Sequence, residues 1–232
     1  MIALVTSGVL CVMFISFVGL MFFRTSVSIS PPVPPSTVKV TRAVSFLINF
    51  QGDEVGSTPS SFLSALTGGG GPVTWVIVRD GNKTVLAQTS TDSTSKRFPL
   101  CVYSGFTAKD VEVSIRFKAV SGKVDQAGGA VVRYQDNNNY YVVRANALEN
   151  NVRFYKLIGG ERTEIAGADV KVSPGEWHRL TLEAKGSHFK VSYEGTRLFE
   201  ADDSAIGNSG HVGLWTKADS VTEFDMLTVN PK

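Results

Sequence analysis

Cysteine is nearly absent from this chain of 232 residues, which has only Cys11 and Cys101. A small domain stapled by disulfides needs several paired cysteines, so that class of protein is excluded. Cys11 lies in an uncharged N-terminal stretch, which leaves Cys101 alone in the rest of the chain. Because no neighbouring base that would activate the thiol is evident, we interpret Cys101 as a small buried residue of a strand over residues 97–103.

Net charge is also low, at +2 from 23 Lys and Arg against 21 Asp and Glu. A nucleic-acid-binding protein usually carries a basic stripe, so this class of partner is not expected. Intrinsic disorder is not expected either, because 43% of the residues are hydrophobic and the charges nearly balance.

The N-terminal stretch, by contrast, has no charge at all over residues 2–23. A helix of that length would be about 33 Å long, which is enough to cross the core of a bilayer. We therefore predict a signal peptide or membrane anchor over residues 1–28. A proline-rich linker of extended backbone is predicted over residues 29–43.

The orientation of that segment is open to two interpretations. The positive residues Arg24, Lys39 and Arg42 follow it, which by the positive-inside rule disfavours export. We favour export, because the remaining chain has the character of an extracellular module; an uncleaved anchor is the alternative. The expected location is secreted or membrane-anchored, outside the cytoplasm.

The chain from residue 44 to residue 230 has apolar residues with a period of two and no sustained helical period. Val111, Val113 and Ile115 alternate with Glu112 and Ser114, for example, which is typical of a strand with one face on a core and one in solvent. Short strands with turns between them, repeated along the chain, favour a sandwich or barrel. The predicted fold is all-β, a two-sheet antiparallel jelly-roll sandwich behind an N-terminal hydrophobic helix.

Four short motifs carry a resemblance to a known superfamily. They are FQGDEVG at 50–56, YYVVR at 140–144, GEWHRL at 175–180 and GHVGLW at 210–215. In this order and spacing they resemble the concanavalin A-like lectin/glucanase superfamily, and within it the laminin-G-like branch near the 3-keto-disaccharide hydrolase domain family. The resemblance covers about residues 44–229 and implies a jelly roll. It leaves function open, because this fold hosts lectins, hydrolases and inert modules.

No catalytic pair of carboxylates stands out. The Glu-x-Asp-x-x-Glu strand pattern that the resemblance implies for a glucanase is absent. Glu223 and Asp225 share a strand face, but they lie near the end of the fold, where carboxylates are usually solvated. His178, His188 and His211 lack the spacing of metal ligands and are interpreted as structural.

No cofactor is expected, and a structural calcium ion is the one alternative. It would take oxygen ligands from Asp53, Glu54 and Asp225 if the first and last strands pair. The case is weakened because Met226 follows Asp225 where members of the superfamily often have a second acidic residue.

Three consecutive strands collect a polar and aromatic set of side chains on one face. A loop at residues 136–139 would pair Arg133 with Val142, and a two-residue turn is expected at Glu149-Asn150. Alternate residues of a strand share a face. The predicted ligand-binding residues, which include Trp215 because polar residues continue its strand, are Arg133, Tyr140, Arg144, Asn146, Arg153, Tyr155 and Trp215.

Such a face is either a ligand site or a solvated surface on which arginine stems lie along tyrosine rings. We favour an extracytoplasmic carbohydrate-binding module without evident catalytic residues. Its expected partner is a carbohydrate or polysaccharide, with membrane contact only through the N-terminal segment, and it is expected to be a monomer. The alternatives are a sugar-processing hydrolase of the keto-disaccharide type, with Asp125, Asp136 or Glu149 as acid or base, and a structural interaction domain without a small ligand.

Overall fold

The computed structural model describes residues 44–232. The predicted signal or anchor segment 1–28 and the linker 29–43 therefore lie outside the described residues. Residues 44–232 contain no helix, and so none that could cross a membrane. Their fifteen strands are β1 (Phe46–Asn49), β2 (Phe62–Gly68), β3 (Trp75–Asp80), β4 (Lys83–Gln88), β5 (Arg97–Ala108), β6 (Val111–Ser121), β7 (Ala127–Asp136), β8 (Asn139–Asn146), β9 (Asn151–Ile158), β10 (Glu161–Asp169), β11 (Trp177–Lys185), β12 (His188–Tyr193), β13 (Thr196–Asp202), β14 (Gly210–Trp215) and β15 (Val221–Pro231).

These strands form two antiparallel sheets. Sheet A has the order β13-β12-β11-β6-β15-β4-β3, with β1 also paired to β15. Sheet B has the order β10-β9-β8-β7-β14-β5-β2. The prediction of an all-β, two-sheet antiparallel sandwich is confirmed for the described residues.

The main core lies between the two sheets, where the period of two predicts it. Val113 and Phe117 of β6 are fully buried from sheet A, and Tyr141 and Phe154 are fully buried from sheet B. Cys101 is buried among them, and burial raises the pKa of its thiol well above the ordinary value. Its interpretation as a small core residue is confirmed.

A second apolar cluster covers the outer face of sheet B, the face directed away from sheet A. Residues alternate along each strand of this sheet, so Trp215 belongs to the second cluster while its neighbour Leu214 belongs to the main core. The members of the second cluster are Phe98, Leu100, Val102, Ala127, Val131, Tyr140, Val142, Tyr155, Leu157 and Trp215. A sandwich usually exposes this face to water, so its burial needs a separate explanation.

The β7–β8 hairpin differs from the predicted register because β7 contains a bulge. Asp136 pairs with Asn139 across the turn, but further along Val131 pairs with Val142. Arg133 lies in the bulge with a positive φ of 51°. The predicted pairing of Arg133 with Val142 is wrong, because the extra residues of the bulge shift the register and change the side of the sheet to which Arg133 points.

The β8–β9 connection is longer than predicted. Asn146 pairs with Asn151, so four residues, 147–150, form the connection instead of the expected two. Arg144 therefore lies opposite Arg153 rather than opposite Tyr155. A register shift of two residues moves partners along the strand but leaves each side chain on its own face.

Gly68 ends β2 at a point where only glycine fits. Its φ is +82°, and a Cβ built on it would lie 1.9 Å from the carbonyl oxygen of Lys96. We expect Gly68→Ala to lower the free energy of unfolding by at least about 2–3 kcal/mol, from backbone strain and from displacement of the neighbouring strand. Chemical denaturation would measure the loss.

Gly81→Ala is the matched control, because Gly81 has a φ of +59° but no atom within 4 Å of an added Cβ. It carries the left-handed backbone cost of about 1–2 kcal/mol without the clash. Equal losses in the two variants would show that the approach of Lys96 to Gly68 is not tight.

Candidate ligand-binding site

The outer face of sheet B is strongly concave. Arg162 of β10 places its Cζ 4.8 Å from the ring centroid of Phe98 on β5. Five strand-to-strand steps separate β10 from β5 in the sheet. In a flat sheet these steps would span about 24 Å. The sheet must therefore curl until residues near its two edges meet, which explains why the second apolar cluster is buried.

Four aromatic residues line the floor of this concave face. The rings of Phe98 and Trp215 stack with centroids 5.5 Å apart and planes at 21°. The Tyr140 hydroxyl is hydrogen-bonded to Thr67 Oγ1 at 2.8 Å, and burial raises the pKa of that hydroxyl. Tyr155 lies on the neighbouring strand, and its pKa is also raised by burial.

Two arginines flank Tyr155. The Cζ of Arg162 lies 4.5 Å from the Tyr155 ring centroid, and that of Arg144 lies at 5.7 Å. Arg144 also donates to Glu149 Oε2 at 2.6 Å and to the Tyr155 hydroxyl at 3.2 Å. Arg162 has no such acid partner: among residues 44–232 its side chain makes neither an ion pair nor a hydrogen bond.

Buried donors without partners are concentrated here. Within the described part of the chain, Arg144 Nε and Arg162 Nη1 are both buried and lack a hydrogen-bond acceptor. Leaving such a group unsatisfied costs about 1–3 kcal/mol, and more when it is charged. A ligand oxygen placed against either group would offset that cost.

A cavity of about 280 Å³ opens beside Arg162. Phe98, Arg162, Lys96 and Glu161 line it, together with small residues. The Lys96 ammonium lies 3.8 Å from the Glu161 carboxylate, and both side chains are largely exposed. The volume is just below the usual range of ligand pockets, about 300–1,000 Å³, so the cavity fits one compact ring.

The structure places six of the seven predicted residues on this face: Tyr140, Arg144, Asn146, Arg153, Tyr155 and Trp215. They do not all reach the cavity. Asn146 donates to Asp125 Oδ1 at 2.8 Å and accepts from Leu148 N at 2.9 Å, which organises the loop after β8. Arg153 is ion-paired with Asp169 at 2.6 Å and Glu164 at 3.4 Å.

Arg133 and Trp215 are placed differently from the sequence prediction. The bulge turns Arg133 away from the concave face, and its guanidinium lies 5.2 Å from the ring centroid of Phe189 in the main core. Trp215 does lie on the concave face but is 0% exposed beneath Phe98. Its ring therefore supports the site from below and is not an open stacking platform.

The three carboxylates considered for hydrolysis each have structural partners. Asp125 is buried, is ion-paired with Lys217, and has a pKa raised by its burial. Asp136 accepts from Asn138 N at 2.7 Å within the β7–β8 turn. The Arg144 guanidinium counters burial and lowers the pKa of Glu149.

The three acidic residues considered for a calcium site have different surroundings from one another. β1 and β15 do pair, with Asn49 opposite Met226. Asp53 and Glu54, however, are exposed in a turn, while Asp225 is ion-paired with Arg116 at 3.1 Å. Over residues 44–232 no three His, Cys, Asp or Glu side chains are grouped to hold a metal ion.

Phe98 and Arg162 are the two site residues that the sequence reasoning missed. Arg162 could have been found by extending the hairpin argument by one strand, because Gly159-Gly160 forms a two-residue turn that pairs Leu157 with Arg162. Phe98 gave no such signal, since only the curvature of the sheet brings it to β10.

Comparison with known proteins identifies the family to which the chain belongs. A family model described as "Galactocerebrosidase, C-terminal lectin domain" matches residues 71–232. No curated protein matches the chain.

Among solved structures, the carbohydrate-binding module CBM66 from Bacillus subtilis is similar, with a TM-score of 0.59 and 20% identity over 71% of this chain and 92% of that one. A Bacillus licheniformis β-glucanase is similar with a TM-score of 0.55 and 10% identity, over 82% and 99%. A GH16 protein from Bacteroides ovatus has a TM-score of 0.56 and 10% identity, over 79% and 99%. These likenesses show the concanavalin A-like jelly-roll fold.

Proposed function

We propose that this chain, which belongs to the galactocerebrosidase C-terminal lectin domain family, binds a carbohydrate in the cavity at the concave outer face of sheet B. The observation that carries the proposal is the meeting of Phe98 and Arg162 across the sheet, with a buried donor of Arg162 left unpartnered beside the cavity. The likeness to a carbohydrate-binding module supports it.

The chemistry of the cavity suits a sugar ring. A pyranose presents apolar C–H groups on one face and hydroxyl groups around its edge. Phe98 offers an apolar wall for the first, and the guanidinium of Arg162 offers donors for the second. Glu161, which also lines the cavity, can accept hydrogen bonds from hydroxyl groups.

The shape of the site limits how much of a glycan it can hold. The contact between Arg162 and Phe98 closes the concave face, so an extended chain cannot lie across the sheet. A cavity of about 280 Å³ accepts one sugar unit. We therefore expect the site to recognise a chain end or a side branch, with the rest of the glycan in solvent.

Phe98→Leu tests the site. It keeps an apolar side chain but removes the aromatic wall, and we expect affinity to fall by up to about tenfold, since aromatic contacts contribute on the order of 0.5–1.5 kcal/mol beyond the area that they bury. The glycan would first be identified by array screening of the full-length chain, and affinity would then be measured by calorimetric titration.

Phe199→Leu is the matched control, because it makes the same change on a partly buried ring of β13 in sheet A. It should leave affinity unchanged. Equal affinity in both variants would place the glycan elsewhere on the molecule.

We also propose an extracytoplasmic location. Support comes from the uncharged residues 2–23 and from the lectin character of the family. The two alternative functions, a sugar-processing hydrolase and an interaction domain without a small ligand, stay predictions.

A further inference from the structure

We infer that the sugar unit bound beside Phe98 carries a carboxylate, as a uronic acid does, and that Arg162 receives this carboxylate. The inference rests on the proposed function and names the chemical class of its ligand. It comes from the charges around the cavity rather than from the shape of the fold.

The surroundings of Arg162 stabilise its positive charge but provide no negatively charged partner for it. Two aromatic rings lie within 5 Å of Cζ, those of Phe98 and Tyr155, at 4.8 and 4.5 Å. Ring faces stabilise a cation without accepting its N–H groups in the way that an oxygen does. Nη1 is buried and unpartnered. The residue as a whole is half-buried, and among the described residues its guanidinium has no oxygen ligand.

The acidic residues near Arg162 are already engaged with other cations. Glu161 lies 3.8 Å from Lys96, and Glu164 lies 3.4 Å from Arg153. Beyond Tyr155, Glu149 is ion-paired with Arg144 at 2.6 Å. Each of these acids therefore has a cation within 4 Å, whereas Arg162 has no acidic partner among the described residues.

The lining of the cavity itself carries a positive balance. Lys96 and Arg162 contribute two positive charges, and Glu161 contributes one negative charge. A neutral sugar would leave one positive charge uncompensated, whereas a carboxylate would neutralise it. Hydrogen bonds between a guanidinium and a carboxylate are roughly twice as strong as neutral ones, and the planar fork of arginine fits the two oxygens.

Uronic acids and their neutral counterparts make the direct test. Methyl glucuronide and methyl glucoside, and likewise the galactose pair, differ only by a carboxylate in place of the C6 hydroxymethyl group. We expect the full-length chain to bind at least one uronide at least about tenfold more tightly than its neutral partner, as measured by NMR titration. The preference should shrink as sodium chloride rises from about 0.05 M to about 0.5 M, because screening weakens charge interactions.

Three substitutions test whether Arg162 causes the preference for the acidic sugar. Arg162→Gln should abolish the preference for the acid, and it should weaken binding of the neutral glycoside by a smaller factor, because the guanidinium also donates to hydroxyl groups. Lys96→Gln should reduce the preference severalfold, and because Lys96 is largely exposed it keeps the test valid if Arg162→Gln does not fold. Arg79→Gln, an exposed position in sheet A with the same change of charge, should have no effect.

The outcomes separate this inference from the proposed function. Equal affinity for acidic and neutral glycosides, or an acid preference that Arg162→Gln and Arg79→Gln alter equally, would overturn the inference and leave carbohydrate binding standing. A glycan array without any bound glycan, acidic or neutral, would overturn the proposed function itself.

Discussion

The variant Val113→Asp is expected to be largely unfolded at 25 °C. Val113 is 0% exposed, and its strand β6 lies in the middle of sheet A, between β11 and β15. Cross-strand neighbours Leu182 and Val229 are equally buried, so no group near the new carboxylate can pair with it. Burying an unpaired polar or charged group there should cost at least about 4–5 kcal/mol. A loss of this size equals the whole free energy of unfolding of a domain at the lower end of the usual range of about 5–15 kcal/mol.

Two further variants show whether the loss comes from burying a charge at this position. Val113→Thr keeps the shape of the side chain and adds one hydroxyl, so its expected cost is only about 1–3 kcal/mol. Ser192→Asp places the same acid at a half-buried position on β12 of the same sheet, directed away from the core, and should stay within about 0.5 kcal/mol of the parent. Ser114, the sequence neighbour of Val113, is unsuitable as a control, because it is buried and its hydroxyl accepts from Thr181 Oγ1 at 2.9 Å.

Urea denaturation monitored by circular dichroism would measure all three variants. Similar midpoints for Val113→Asp and Ser192→Asp would mean that Val113 does not face the space between the sheets.

Arg133→Ala is expected to destabilise the fold strongly. The Arg133 side chain is 1% exposed, and its guanidinium donates to three backbone carbonyls, those of Lys109 at 2.9 Å, Ile206 at 2.8 Å and Gly186 at 2.5 Å. These carbonyls belong to three separate connections, after β5, after β13 and after β11. One side chain therefore ties three loops together at one end of the sandwich.

Removing the guanidinium leaves three carbonyls without their donor and opens a space beside Phe189, which the guanidinium covers at 5.2 Å. We expect the free energy of unfolding to fall by about 3–5 kcal/mol, the range for breaking a buried charged network. Alanine keeps a Cβ, so the positive φ of 51° stays equally unfavourable in the variant and does not contribute to the difference.

Arg133→Lys should recover only part of the loss, because an ammonium on a flexible stem cannot reproduce the fork of the guanidinium. Arg79→Ala, at an exposed position, should stay within about 0.5 kcal/mol. Thermal unfolding of the full-length chain would measure the series. A midpoint for Arg133→Ala equal to that of Arg79→Ala would show that the three loops hold without this residue.

The sequence by itself determined the faces of the strands. Alternation along a strand is a local property, since each Cβ points opposite to its neighbour whatever the sheet does. For this reason Val113 was correctly predicted in the core, and Tyr140, Arg144 and Tyr155 were predicted together on one face. The predicted pairing of β8 with β9 was wrong by two residues. The prediction of the shared face still holds, because a shift of two residues leaves each side chain on its own face.

Only the tertiary structure decided which of these residues surround a cavity. The bulge in β7 depends on how that strand fits between β8 and β14, and it moved Arg133 to the core side of the sheet. The meeting of Phe98 with Arg162 depends on the summed twist of the six strands from β10 to β5. No local pattern of residues encodes that sum. The same curvature buries Trp215 and leaves Arg162 without an acid partner, so the chemistry of the site follows from the coiling of the whole sheet.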